Sequence, residues 1–282
     1  MISTWSIVFA LATLAIVGGA VSFWLRREKA KNLIIAEESN KPPTIDKWVA
    51  SRFPSPTQEA TMDLVKQAMQ VRDPARVPEF FRLGSTTAAE VVAFLESKEE
   101  KDGPITKYQW LSSVDANNML IDGVAIYTKL EDKPFNRLAF LTPDEKGKWK
   151  IDFEAFARTV KPSWQEVLSS SPDHDNIVRV LLRKDTYYNG PFSDETKWIC
   201  CRLGSPDLSE DILGYCRQNS PQATALRLIT SAGPSPARAK GVFRATLVIR
   251  HVKGAEAKQY EITSILAEDW VINSKAFDSS FK

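Results

Sequence analysis

An uninterrupted apolar run near the N-terminus, Thr4–Leu25, restricts what this chain can be more than any other feature. The run contains no charged residue and consists mostly of Ile, Val, Leu, Ala and Phe. About 22 residues at ~1.5 Å rise per residue form a helix that spans a hydrocarbon core of roughly 30 Å. Trp5 and Trp24 lie at its two ends, where aromatic rings favour the level of the lipid headgroups. The sequence therefore predicts a transmembrane anchor.

A cleaved signal peptide is the alternative interpretation, and Gly18-Gly19-Ala20 supplies small residues of the kind found at cleavage sites. Signal peptides carry a positive n-region, whereas residues 1 to 5 contain no Lys or Arg, which favours the uncleaved anchor. Four basic residues follow the run at once: Arg26, Arg27, Lys29 and Lys31. Because such clusters tend to stay in the cytoplasm, we expect a single-pass protein of a bacterial inner membrane with a cytoplasmic body. A periplasmic body is the alternative.

Length and composition indicate a folded body behind this anchor. A chain of 282 residues, 43% apolar and 26% charged, has room for two modest domains and is unlike a disordered chain. We expect an anchor with its basic flank at 1–31, a proline-containing tether at 32–54, a first domain at 55–160 and a second at 161–282. Lipid contacts are expected through residues 4–31. The formal charge of +2, without a long basic stripe in the body, gives no support for a nucleic-acid partner.

Three helix starts can be read in the first domain: Ser55-Pro56-Thr57-Gln58, Asp73-Pro74 and Thr87-x-x-Glu90. The first and third have the form of a capping box, and proline suits the opening turn of the second. In the second helix Val77, Phe80 and Phe81 share one face. The helices are expected to end near Arg72, at Gly84 and at Gly103-Pro104.

Alternating apolar and polar residues then predict four strands, near 106–114, 119–130, 135–142 and 148–154. Turn residues separate them: Asn117-Asn118, Asp132-Lys133-Pro134 and Pro143 to Gly147. In the last strand Trp149, Ile151 and Phe153 share one face. Lys148, Lys150, Asp152 and Glu154 share the other, which we expect to face water.

Helices followed by a meander that ends in Trp-x-Ile-Asp-Phe resemble the NTF2-like (cystatin-like) superfamily of cone-shaped α+β domains. The resemblance covers about residues 55–158 and rests on element order. It implies a curved sheet wrapped around helices. Members of the superfamily include small enzymes, ligand binders and non-catalytic assembly modules, so the fold alone does not choose a function.

The second domain is predicted to be another α+β unit with fewer helices. A helical turn is expected at Trp164 to Leu168, strands at 177–184 and 197–203, a helix at 221–229, and a hairpin of 242–252 with 259–272. The stretch 208–218 is ambiguous. Residues 149–156 and 270–277 share Trp-x-Ile and Ala-Phe at the same spacing. This match suggests a divergent repeat in which Trp149 and Trp270 occupy equivalent, buried closing strands.

No set of titratable or nucleophilic residues forms a recognisable catalytic or metal motif. Cys200, Cys201 and Cys216 are odd in number and distant in sequence from both histidines, so we expect reduced thiols in the core. His251 has the strand phase of Ile249 and is expected at the end of a core face. His174 is expected in solvent.

Two carboxylates are candidates for acid–base chemistry, Asp115 and Asp122. Asp122 shares the strand phase of Val124 and Ile126, so it can face the interior, where burial shifts a pKa. The alternative is a carboxylate at the edge or turn near Asn117-Asn118. The aromatic stretch Tyr187–Phe192 is either an exposed contact surface or a rigid hydrophobic corner. We assign no catalytic, cofactor-binding or metal-binding residue and predict no cofactor.

The sequence therefore predicts an α+β membrane protein that acts through protein partners or self-association rather than through chemistry. A membrane-tethered small-molecule-binding or enzymatic cone is the alternative. A functional cone is expected to hold a pocket of roughly a few hundred Å³ with a buried polar group. An assembly module is expected to fill its cone with its own side chains.

Overall fold

The computed structural model describes residues 53–116, 119–169, 174–231 and 241–281, all of which belong to one compact unit. The predicted anchor, its basic flank, most of the tether and the Asn117-Asn118 turn lie outside the described residues, as does the side chain of Asp115. In the described part of the chain no helix is both long and apolar enough to cross a membrane.

The first half contains the predicted helices with adjusted bounds. These are α1 (Gln58–Met69), a 3-10 turn (Pro74–Arg76), α2 (Val77–Phe80) and α3 (Ala88–Asp102). Asp73 caps the turn, and Thr87 with Glu90 forms the predicted capping box. The predicted start of α1 at Ser55 is wrong by two residues. Thr57 is the cap, whereas the Ser55 hydroxyl donates to Asp122 at 3.0 Å and is drawn toward the sheet.

The first sheet has five strands in the order β1-β5-β4-β3-β2. Their bounds are β1 Phe81–Arg82, β2 Ile105–Ala116, β3 Met119–Leu130, β4 Lys133–Pro143 and β5 Trp149–Asp152. The strands β2 to β5 pair antiparallel, as the sequence predicts. The prediction that Phe81 belongs to the second helix is wrong, because Phe81 pairs in parallel with Ile151.

The two faces of this sheet are covered by different parts of the chain. Even-numbered residues of β3, such as Val124 and Ile126, pack against α1 and α3. Odd-numbered residues such as Ile121 face the second half, where Trp270 and Val271 complete a shared apolar cluster with Phe140. A sheet covered on both faces leaves little room for a solvated side.

The predicted solvent-facing side of β5 is therefore wrong at two positions. Asp152 is 6% exposed and Glu154 is 9% exposed. The strand ends at Asp152, whose carboxylate accepts from the N–H of Ala155 and caps the short helix α4 (Phe153–Ala157). Glu154 is consequently in a helix, and the second half packs over it.

The second half is a closed five-stranded barrel with two helices. Its elements are α5 Trp164–Ser169, β6 Asp175–Asp185, β7 Trp198–Gly204, β8 Ile212–Arg217, α6 Pro221–Ser231, β9 Phe243–His251 and β10 Gln259–Ala267. A 3-10 helix at Phe277–Phe281 follows. The expected helix at 221–229 is present, and the ambiguous stretch 208–218 contains β8.

The barrel strands run in the order β10-β8-β7-β6-β9, and β9 pairs with β10 to close the ring. The pair β8–β10 is parallel, the others are antiparallel, and α6 connects β8 to β9. This is the topology of the OB-fold, a five-stranded Greek-key barrel. The predicted α+β class holds, and closure into a barrel is an addition that the sequence pattern did not indicate.

The segment around Trp270 corrects the expected equivalence of two closing strands. Trp149 lies in β5, whereas β10 ends at Ala267 and residues 270–277 form no strand. The backbone carbonyl of Trp270 accepts from Arg179 Nε at 3.0 Å, so a side chain takes the place of a strand partner. Both indoles are buried, as predicted, at 5% and 4% exposure. The shared spacing therefore does not mark equivalent strands.

Candidate functional site

A cleft of about 550 Å³ lies where the first half meets the barrel. Its apolar walls include Phe94 on α3, Phe153 on α4 and Trp164 on α5. Phe94 and Phe153 hold each other edge to face, with ring centroids 5.3 Å apart. We call this space the junction cleft. Three helix segments from both halves thus present aromatic rings to one space.

A buried charge cluster forms the connection beneath the junction cleft. Glu154 Oε1 accepts from the backbone N–H and hydroxyl of Ser85, both at 3.0 Å, and from Lys161 Nζ at 2.5 Å. Its Oε2 accepts from Arg179 at 3.1 Å. Arg179 is 1% exposed and also donates to the carbonyls of Thr159 and Trp270. One carboxylate therefore bridges the first half and the barrel.

Gly84 shows how tightly this carboxylate is held. Its φ is +62°, and a Cβ there would lie 2.6 Å from Glu154 Oε1. Only glycine tolerates both the left-handed backbone and the close approach. Gly84, predicted from the sequence as a helix stop, therefore lets the Glu154 carboxylate approach the backbone closely.

The two carboxylates of the cluster have pKa values displaced in opposite directions. Burial raises the pKa of Asp152 to about 6, aided by the negative charge of Glu154 and opposed by Arg179. Burial also disfavours ionisation of Glu154, but Arg179 and Lys161 outweigh it and hold its pKa at about 2. Strong shifts often mark functional sites, yet structural ion-pair networks produce them too. Here both carboxylate oxygens of Glu154 accept hydrogen bonds from Ser85, Lys161 or Arg179, so the network is a structural one.

The charged groups that line the junction cleft are likewise engaged with the fold. Glu90 accepts from the N–H and hydroxyl of Thr87 at 2.7 Å. Arg158 and Asp207 form a two-pronged ion pair with both bonds at 2.9 Å. General acid–base or nucleophilic catalysis needs a group free to exchange a proton or attack. In the junction cleft, Glu90, Arg158 and Asp207 each have hydrogen-bonding partners within the fold.

The candidate carboxylate Asp122 faces the interior, as its strand phase predicts. It is fully buried on the helix-covered side of β3. Its Oδ1 accepts from Ser113 at 2.5 Å and from Ser55 at 3.0 Å, while its Oδ2 is buried without a hydrogen-bond partner. The interpretation as an edge or turn carboxylate is therefore wrong. The sequence did not indicate that two serines would close over it.

In the stretch Tyr187–Phe192 the buried Phe192 forms a rigid corner, one of the two interpretations, whereas Tyr187 is 46% exposed, as the other interpretation requires. Phe192 is fully buried and stacks on Tyr215 of β8, with ring centroids 4.1 Å apart and planes at 3°. Asn189 of this loop bonds Glu256 of the loop between β9 and β10. In OB-folds the face of the second and third strands, between these two loops, is the usual ligand site. Here the chain's own loops cover it.

The cysteines and histidines occupy structural positions. All three cysteines are buried and free, as expected, and burial raises the pKa of Cys200 to about 11 and of Cys216 to about 12. His174 is exposed. His251, partly buried at the end of β9, contacts the carbonyl of Glu256 at 3.2 Å through Nε2, while its Nδ1 is buried without a partner. Within the described residues no group of His, Cys, Asp or Glu could hold a metal ion.

Sequence reasoning missed the residues that build the junction, Arg179 and Glu154. Their guanidinium and carboxylate join across 25 positions of sequence, so no local pattern signals the pair. Arg179 alternates with Val178 and Val180, both fully buried. Such alternation predicts a side chain that faces water, so the sequence pattern contained no signal of the buried ion pair.

The fold and the site together define a two-part α+β protein in which a helix-covered sheet and a closed barrel share a charged junction and an aromatic cleft. The chain matches no protein-family model, no curated protein and no solved structure.

Proposed function

We propose that this chain is a non-catalytic interaction module, anchored in the inner membrane by Thr4–Leu25, and that the junction cleft is its recognition surface. The occupant is a segment of a partner protein that inserts apolar side chains between Phe94, Val160 and Trp164. The observation that supports this most is that the cleft's charged groups are engaged with the fold, while its aromatic walls border open space.

Two further features support a protein partner. The covered face of β7 and β8 removes the stacking platform that an OB-fold would offer to single-stranded nucleic acid. The near-neutral charge adds little electrostatic attraction for phosphates. Aromatic side chains in a partly open cleft, by contrast, are typical anchors of protein interfaces. The NTF2-like assignment of residues 55–158 stays a prediction and is compatible with an assembly module.

Site-specific photocrosslinking in native membranes tests the proposal. A photoreactive phenylalanine analogue replaces Trp164 in the full chain, and the crosslinked partner is identified by mass spectrometry. The matched control carries the analogue at Leu228 on α6, which is 45% exposed and lies outside the cleft. We expect one discrete adduct from position 164 that Phe94→Ala abolishes. Equal labelling at both positions, or none at position 164, would count against the proposal.

A small-molecule-binding or enzymatic cone is the second candidate, because Asp122 carries a buried oxygen without a hydrogen-bond partner. Buried polar atoms in this state often await a ligand or a water molecule. Native mass spectrometry of the full chain in detergent distinguishes the two functions. A bound small molecule that is present in the parent and absent from Asp122→Asn would favour the cone.

A further inference from the structure

A second cavity, of about 180 Å³, lies between the end of α1, the last turns of α3 and the start of β2. Lys98 lines it from the buried side of α3, together with Leu95. Lys98 is only 5% exposed, which is rare for lysine unless its charge is paired. We call this space the Lys98 pocket. The Lys98 pocket shares no lining residue with the junction cleft.

The nearest buried carboxylate is already used by another cation. Asp102, one turn beyond Lys98 on α3, accepts from Arg137 Nε at 2.5 Å and from Arg137 Nη2 at 3.2 Å. Arg137 Nη1 remains buried without a hydrogen-bond partner. Among the described residues no salt bridge reaches Lys98 itself, so the ammonium group lacks a direct counterion.

Arg72 adds a further positive charge to the same pocket. Its Nη1 donates to the carbonyls of Met69 and Val71, which fixes the guanidinium at the wall. Burial lowers the pKa of Lys98. Asp102 and Glu99 oppose this lowering of the pKa, and Arg137 and Arg72 add to it. Lys98 therefore presents a buried positive charge at the pocket, with the exposed Arg72 beside it and Glu99 as a carboxylate of the wall. A buried charge is costly unless an ion of opposite sign compensates it.

We propose that the Lys98 pocket binds a small oxyanion, a carboxylate or a phosphate group, held by the ammonium group of Lys98 beside the guanidinium of Arg72. The volume suits a group of a few heavy atoms, and an ammonium offers three donors to such oxygens. The carboxylate of Glu99, which lines the pocket, and the backbone carbonyl groups at the C-terminus of α3 both repel a bound anion. Binding is therefore weak and saturates in roughly the millimolar range.

Equilibrium dialysis of the full chain in detergent with radiolabelled inorganic phosphate tests this, with acetate as the carboxylate arm measured by competition. Ionic strength is held constant with chloride. We expect saturable binding to the parent, a loss of about tenfold or more in Lys98→Met, and retention in Lys98→Arg. Lys101→Met is the matched control, because Lys101 is an exposed lysine on the same helix and does not line the pocket.

A direct readout on the parent keeps the test decisive if Lys98→Met does not fold. Phosphate or acetate should slow acylation of Lys98 by an amine reagent, followed by mass spectrometry, and leave acylation of Lys101 unchanged. Slowing of Lys98 acylation by acetate but not by phosphate would identify a carboxylate site. Absence of saturable binding of either anion, unchanged binding by Lys98→Met, or equal slowing at both lysines would overturn the proposal.

Discussion

Asp152 and Glu154 stand two positions apart and ionise at opposite ends of the acidic range. Glu154 is bonded by Arg179 and Lys161, so its charged form is the stable one. Asp152 receives one backbone N–H and lies beside the charge of Glu154, so its neutral form is favoured. The difference arises from partners that come from distant parts of the chain, because the two residues share nearly the same depth of burial.

Asp152 is predicted to make the protein less stable as pH rises from about 4 to about 6. Its pKa is raised from 3.8 to about 6, so in this window the unfolded chain releases a proton that the folded chain retains. A pKa raised from 3.8 to about 6 corresponds to roughly 3 kcal/mol. Glu154, with a pKa near 2, loses its stabilising contribution as pH falls from about 4.5 to about 2, so the two effects overlap only between about pH 4 and 4.5.

The measurement is urea unfolding of the parent and Asp152→Asn at pH 4.5 and pH 7.5. Asparagine keeps the cap to Ala155 and has no charge to bury, so its advantage over the parent should grow by a few kcal/mol at the higher pH. Asp73→Asn, which alters an exposed cap of the same kind, should show no such growth. A parallel pH response in parent and Asp152→Asn would contradict the assignment.

At the level of helices and strands, capping residues and apolar–polar alternation predicted helix ends and strands, because local interactions determine both. The α3 helix begins at its capping box and is followed by Gly103, whose φ of +79° ends it as expected. Alternation predicted the long strands and allowed an inward direction for Asp122, which the structure shows. It could not predict what covers each face, so Asp152 and Glu154 were expected in water. The barrel pairs β8–β10 and β6–β9 are equally non-local, because each joins strands that are distant in sequence.

The two indoles that share a sequence motif provide a matched pair for the next prediction. Trp270 Nε1 donates to the carbonyl of Val180 at 3.1 Å, whereas Trp149 Nε1 is buried without a partner. Truncation of either to alanine should cost ~3 to 5 kcal/mol because the large ring leaves a cavity. The phenylalanine variants should differ, since only Trp270→Phe loses a hydrogen bond.

We expect Trp270→Phe to destabilise the protein by about 1 kcal/mol more than Trp149→Phe. Chemical denaturation of the full chain, followed by far-UV circular dichroism, measures the difference without relying on tryptophan emission. Equal losses, or a larger loss for Trp149→Phe, would show that ring packing alone determines these positions.

At the scale of the whole molecule, the apolar run Thr4–Leu25 is predicted to hold the protein in the membrane. The full chain should pellet with membranes and resist extraction by high salt and by carbonate. Leu14→Arg with Val17→Arg should release it, because each central arginine costs about 2.5 to 3.5 kcal/mol of insertion free energy. Leu14→Ile with Val17→Ile is the matched control. Release of the parent by carbonate would contradict the anchor.

The junction is predicted to couple the stability of the two halves through Arg179 and Glu154. Arg179→Met leaves a buried carboxylate with less compensation and should cost about 3 to 5 kcal/mol. Glu154→Gln should cost less, because Arg179 keeps its two carbonyl partners. The double variant removes both charges, so its loss should fall below the sum of the single losses by about 1 kcal/mol or more.

The exposed ion pair of Arg250 with Asp175 is the control for this cycle, because it joins the neighbouring barrel strands β6 and β9, at 2.9 Å, and does not link the two halves. Solvent screens that pair, so Arg250→Met and Asp175→Asn should couple by less than about 1 kcal/mol. If the losses in unfolding free energy for the Arg179 and Glu154 variants are additive in urea unfolding of the full chain, the ion pair contributes no coupling energy between the two halves. The covered apolar cluster around Trp270 and Phe140 would then be what holds the barrel against the sheet.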